Sequence, residues 1–225
     1  MTSLLERAIS VIAPHSCICC GKESNVLCVA CTPQVFGEPI EMCFLCNRPT
    51  IDSRVCRSCM PRTSVRHVWM AAIYDGAIRK LVKDYKFNRV RAAYAPLASA
   101  MADTLPYFAH DILVVPVPTA YRRVRQRGYD QAKLLAREIA RQKGWSTQAA
   151  LRRQHGHRQV GASRAARFSQ ASQAFECTGD VAGRHILLVD DVTTSGATLH
   201  AAAAILVAAG ALSVNAVVAA KHTFE

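Results

Sequence analysis

The spacing of apolar positions changes several times along the 225 residues. Ser3, with Glu6 three residues on, forms a capping box ahead of Leu4, Leu5, Ile9 and Ile12, which predicts a short helix stopping before Pro14. Residues 14–62 carry so few apolar side chains that folding there is expected to depend on metal. From about residue 65 the pattern becomes that of a globular domain. Ala77–Phe87 places Ile78, Leu81, Val82 and Tyr85 at helical spacing, and a second helix is predicted over Leu97–Leu105. Asp111–Val117 is a short continuous apolar run rich in valine, as expected of a buried parallel strand. Asp130–Lys143 reads as a helix with Leu134, Leu135 and Ile139 inward, closed by Gly144. Periodicity is lost over residues 152–174, which predicts a long loop of the kind that is usually functional or mobile. It returns in a strand, Ile186–Val189, a helix, Leu199–Ala209, closed by Gly210, and a last strand, Val214–Ala219.

Strands alternating with helices predict an α/β fold: a parallel sheet with flanking helices. Pro61 marks the end of a first module, dividing the chain into residues 1–62 and 63–225. A composition of 51% hydrophobic and 20% charged residues excludes a disordered chain. The longest wholly apolar run, Ala201–Ala209, is too short to cross a bilayer, so no membrane span is expected. Glu6 and Arg7 stand where a signal peptide needs an apolar run, which predicts a cytoplasmic protein.

The net charge of +12 is unevenly spread. Residues 66–177 hold 20 basic and seven acidic side chains, whereas residues 1–65 are nearly balanced and residues 178–225 are slightly acidic. The middle of the chain is therefore expected to meet phosphate groups.

Nine of the ten cysteines fall between Cys17 and Cys59. Eight of them form C-x-x-C pairs: Cys17/Cys20, Cys28/Cys31, Cys43/Cys46 and Cys56/Cys59. A C-x-x-C turn brings two thiolates to one ion and two such turns complete a tetrahedral site, so about two structural zinc ions are predicted. Joining neighbouring turns is the simplest pairing; a cross-braced pairing, first with third and second with fourth, is also compatible with the spacing. Cys19 could compete with Cys17, and Cys177 reads as a buried packing residue.

The richest stretch chemically is ILLVDDVTTSGAT, Ile186–Thr198. Two carboxylates emerge at the carboxyl end of a buried strand, where ligands of open α/β sheets bind. Small residues then run into a helix, so backbone N–H groups and the helix dipole can take a phosphate. The Lys of a triphosphate-binding P-loop is missing. Asp190 and Asp191 beside a phosphate cradle suit sugar hydroxyls, or Mg²⁺ held through water.

This stretch closely resembles the phosphoribosyl-pyrophosphate (PRPP) signature of type I phosphoribosyltransferases. The resemblance implies that Thr193, Thr194, Ser195, Gly196, Ala197 and Thr198 hold the 5′-phosphate, that Asp190 and Asp191 contact the ribose hydroxyls, and that Mg²⁺ accompanies PRPP. The C-x-x-C pairs, VPVP (Val115–Pro118) and RGYDQA (Arg127–Ala132) resemble the ComF competence family, which joins an N-terminal double zinc ribbon to a phosphoribosyltransferase domain. Tyr74, Gly76, Lys86, Gln159, Arg167 and Phe175 also fit that family's pattern, while Asp130 and Gln170 stand where it usually has Asn.

Thr119, Tyr121, Arg122 and Arg123, just after the Asp111 strand, are the candidate pyrophosphate site, and Arg158, Arg164 and Arg167 of the long loop would close over it. Arg122, Arg123, Arg125 and Arg127, flanked by Tyr121 and Tyr129, are candidate contacts for single-stranded DNA. Competence or DNA-processing proteins are implied as further partners by the resemblance. Because Lys221–Glu225 alone follow the last strand, any hood over an acceptor base is expected from the zinc module. Three readings follow: a ComF-like protein acting with imported DNA, a nucleotide-salvage phosphoribosyltransferase, and a non-catalytic PRPP sensor.

Overall fold

The computed structural model describes residues 15–38, 40–154 and 174–223. The predicted helix before Pro14 and loop residues 155–173 lie outside them. The first cysteine ribbon carries two short antiparallel strands, β1 (His15–Ser16) and β2 (Glu23–Ser24), and a helical turn, α1 (Thr32–Val35). The second leads into β3 (Val65–Met70), α2 (Gly76–Phe87), α3 (Tyr94–Asp103), β4 (Ile112–Pro116), α4 (Tyr121–Arg127) and α5 (Gln131–Lys143). Then come β5 (Ser146–Thr147), β6 (Leu151–Arg153), β7 (Phe175–Cys177), β8 (His185–Thr193), α6 (Ala197–Ala208) and β9 (Ser213–Lys221).

The central sheet is parallel, in the order β3-β9-β8-β4-β5. Side chains alternate across it with a period of two. Leu187 and Val189 face one side with Val114, Val217 and the apolar stripes of α2, α3 and α5. Ile186 and Leu188 face the other with Leu113, Val115, Val218 and α6. Both faces are covered, which is why these strands read as unbroken apolar runs.

The cysteine ribbons lie on opposite sides of this sheet. Cys17, Val26, Leu27 and Cys31 pack into the first core, and Cys43, Phe44, Val55 and Cys59 into the second. The apolar side chains of residues 14–62, too few for a core of their own, complete cores that the sheet and its helices supply. Val55 N–H donates to Arg66 O at 3.0 Å and Val68 N–H to Ser53 O at 3.0 Å, so the second ribbon also ties directly into β3.

Several local expectations change. β3 and α4 were not foreseen, because the mixed patterns VRHVWM and YRRVRQR carry no clear period; Gly128, left-handed at φ 85°, closes α4. The aperiodic 152–174 region begins in β6 and runs up to β7, which pairs antiparallel with β6; the buried side chains of the pair are Leu151 and Phe175. On α5 the inward residues are Ala132, Leu135, Ala136, Ile139 and Ala140, while Leu134 is half-buried. Cys177 is half-buried, its thiol donating to Gly179 O. Among the described residues no helix is long and apolar enough to cross a membrane.

Candidate functional site

Neighbouring C-x-x-C turns pair, and the cross-braced alternative falls. Cys17, Cys20, Cys28 and Cys31 form one cluster, and Cys43, Cys46, Cys56 and Cys59 the other, each with its sulfur atoms within 4.8 Å of one another. Cys20 and Cys28 Sγ lie 3.8 Å apart and Cys46 and Cys56 Sγ 3.5 Å apart. A tetrahedron with Zn–S of about 2.3 Å has an edge of about 3.8 Å, so both donor sets fit zinc. Cys19 is exposed and outside the first cluster. With an ion bound, four thiolates would close each site and leave no position for a substrate. Elemental analysis of protein purified without chelator should give about two zinc ions per chain.

Strand β8 continues through Asp190 and Asp191 to Thr193, so the carboxylates stand on the strand and the turn that follows, the candidate phosphate site, is shorter than the sequence suggested. Gly196 caps α6 at φ 75°, a left-handed conformation that glycine takes without strain. Ala197 and Thr198 form the first helical residues. Thr194 and Ser195 are exposed; Thr193 is buried, and its carbonyl accepts from His222 N–H at 2.9 Å.

A cleft of about 1660 Å³ opens at this end of the sheet. Asp190, Asp191, Thr194 and Thr198 line one side of it; Thr119, Arg122, Arg123 and Arg127 line the other. The turn after β8 and the basic segment after β4 thus share one cleft, as adjacency of β4 and β8 requires. Its volume exceeds the roughly 300–1,000 Å³ of ordinary small-ligand sites.

Charge in the cleft is partly paired. Lys86 Nζ lies 2.8 Å from Asp191 Oδ1. Arg127 is only 9% exposed, with its guanidinium 5.3 Å from the centroid of the Phe87 ring. Burial lowers the Arg127 pKa, and Asp191 opposes that shift. Asp130 caps α5 by accepting from Lys133 N–H at 3.2 Å, and accepts from Thr119 Oγ1 at 3.1 Å. The acid that departs from the ComF pattern therefore fastens the loop after β4 to α5.

Burial, and then the neighbouring Asp191, push the Asp190 carboxyl up to about 7, with Lys86 pulling the other way. In the free protein this contribution to stability is full below pH about 4 and is lost as pH rises through about 7. A ligand whose hydroxyls need an ionised acceptor has the opposite preference. If that ligand is PRPP with Mg²⁺, its affinity should rise between pH 6 and 8, by at most about tenfold per unit below the pKa. Calorimetry on Asp190→Asn isolates the effect, since ligand phosphates titrate equally in both proteins; equal slopes would remove Asp190 from the site.

Arg122, Arg123 and Arg125 are exposed along α4, with Arg125 stacked 5.9 Å from the Tyr121 ring centroid. Arg127, grouped with them in sequence, turns inward to the cleft. Arg158, Arg164 and Arg167 lie outside the described residues. Lys86 was visible only as a position fitting a family pattern, and its pairing with Asp191 comes from the approach of α2 to β8. Neither Phe44 nor Lys221, both packed against the phosphate turn, carried any sequence signal.

The model of the phosphoribosyl transferase domain family matches residues 95–223. The chain belongs to that family. Competence protein ComFC of Bacillus subtilis (strain 168) is 27% identical over 198 residues, covering 84% of this chain and 81% of its own. DNA utilization protein YhgH of Salmonella typhimurium is 27% identical over 199 residues, covering 84% and 87%. With the ribbons, VPVP and RGYDQA, these relatives bear out the ComF resemblance. Among solved structures, glutamine phosphoribosylpyrophosphate (PRPP) amidotransferase from B. subtilis overlaps partially, with TM-score 0.41 and 20% identity over 56% of this chain and 26% of that one.

Proposed function

We propose that the chain binds PRPP with Mg²⁺ in the cleft and single-stranded DNA along α4, and serves DNA uptake or utilisation. The observation that carries this reading is the joining, in one cleft, of the phosphate turn, the Asp190–Asp191 pair and an arginine-rich helix. The turn Thr194–Gly196, with the first turn of α6, takes the 5′-phosphate through backbone N–H groups and hydroxyls. Asp190 and Asp191 accept from the ribose hydroxyls. Arg122, Arg123, Arg127 and Lys86 face the pyrophosphate, where bound Mg²⁺ would add charge neutralisation. Names of relatives at 27% identity, a competence protein and DNA utilization proteins, support the DNA half of the reading.

DNA would meet the exposed arginines of α4, two of which, Arg122 and Arg123, also line the cleft. Arg122, Arg123 and Arg125 offer phosphate contacts, while Tyr121 and Phe87, each 66% exposed and each beside an arginine, offer stacking surfaces. Binding through phosphates must weaken with salt, by about −0.7 in log K per log salt for each phosphate neutralised on a single strand. Replacing Arg122, Arg123 and Arg125 by Ala should flatten that slope by up to about 2 units. Sequence preference should be weak. An oligonucleotide titration that finds no binding at low salt, or no salt dependence, rejects the DNA reading. PRPP binding with no DNA binding would favour the salvage or sensor readings.

A further inference from the structure

The phosphate turn rests on the second cysteine cluster. Phe44 and Leu45 are the two residues between ligands Cys43 and Cys46. A Cβ added at Gly196 would lie 2.4 and 2.7 Å from two Phe44 ring carbons and 3.0 Å from Leu45 Cδ2. Phe44 is 1% exposed, so its ring has no free space to give. The metal-binding knuckle is the floor of the turn.

Lys221 makes a second link. It ends β9, is 2% exposed, and spends its ammonium on the Thr194 carbonyl. One carbonyl is thin compensation for a buried cation. Burial lowers the Lys221 pKa and Cys43 opposes that shift; four thiolates around one divalent ion would leave that cluster net negative. The first cluster, across the sheet, packs into the other core.

We infer that the metal-loaded second cluster, acting through Phe44 and Lys221, is the device that positions the phosphate turn, and that the first cluster has no such role. This rests on the reading of the turn as the PRPP phosphate site. Metal fixes the Cys43–Cys46 knuckle. The knuckle holds the Phe44 ring under Gly196, and Lys221 pins the Thr194 carbonyl away from the cleft. Phe44 and Lys221 are positioning residues and touch no ligand.

The test uses full-length, zinc-loaded protein and pairs Cys46→Ser with Cys20→Ser, an exposed ligand from each cluster. Each variant should lose one zinc by elemental analysis. Cys46→Ser should weaken PRPP–Mg²⁺ binding by calorimetry about tenfold or more, whereas Cys20→Ser should stay within about threefold, because only the second cluster supports the turn. Lys221→Met should keep both zinc ions yet lose about tenfold in affinity, because the Thr194 carbonyl loses its partner, with Lys221→Arg recovering part. Equal losses from the two cysteine variants, or wild-type affinity in Lys221→Met, overturn the inference. If the wild-type protein binds no PRPP, the underlying reading fails. Hydrogen exchange at Thr194–Gly196 then still decides the coupling: faster exchange in Cys46→Ser but not Cys20→Ser supports it, and equal exchange overturns it.

Discussion

Gly196→Ala should destabilise the protein and abolish measurable PRPP binding. Two costs add at this position. A non-glycine residue held at φ 75° costs about 1–3 kcal/mol. The new Cβ would also meet Phe44 Cε2 at 2.4 Å, a contact with a packed ring, and overpacking of this kind costs about 1–3 kcal/mol more. The melting midpoint should therefore fall by at least about 4 °C. Ligand affinity suffers further, because any relief of the clash lifts the turn off the knuckle and re-aims its N–H groups. Adding Phe44→Ala to Gly196→Ala should recover the steric part of the stability but not the conformational part, so the double-mutant cycle should be non-additive. Unchanged melting and unchanged calorimetric affinity in Gly196→Ala would place the ligand elsewhere.

Asp190→Asn together with Asp191→Asn should leave the fold intact and remove nearly all PRPP–Mg²⁺ binding. Asn keeps the shape of Asp but loses the charge. Hydrogen bonds to charged groups are worth about 1.5–3 kcal/mol each, so two of them account for a loss of roughly 10²–10⁴ in affinity. The single variants should differ. Asp191 already spends one oxygen on Lys86 at 2.8 Å, and its removal frees that ammonium for the pyrophosphate, offsetting part of the loss. Asp190 has no such compensation, so Asp190→Asn should be the more damaging single change. Calorimetry on the two single variants and the double one measures this order; wild-type affinity in the double variant would sink the assignment of ribose to these carboxylates.

Elements whose signal is local can be read from the chain without its fold. Ile186–Val189 and Val214–Ala219 read as buried strands because both faces of their sheet are covered, which leaves an unbroken apolar run. The helix Gly76–Phe87 was legible from one stripe, Ile78, Leu81, Val82 and Tyr85, which is its buried face. The cysteine clusters were legible because a C-x-x-C turn is itself a two-ligand clamp, and the strand–turn–helix of Ile186–Ala208 because strand, small residues and helix follow without a gap. Tertiary structure decided whatever depends on distant parts of the chain meeting. Which cysteine pairs share an ion depends on where the ribbons pack, and they pack on opposite faces of the sheet. Arg123 and Arg127, one helical turn apart, share the face of α4 that meets the cleft, and Arg127 is buried there while Arg125 lies outside the lining. Lys86 reaches Asp191 across more than a hundred residues of sequence. Phe44 lies under Gly196, and Lys221 holds the Thr194 carbonyl. A residue's own neighbours in the chain carry no trace of such contacts, since they arise from the packing of whole elements around a shared core.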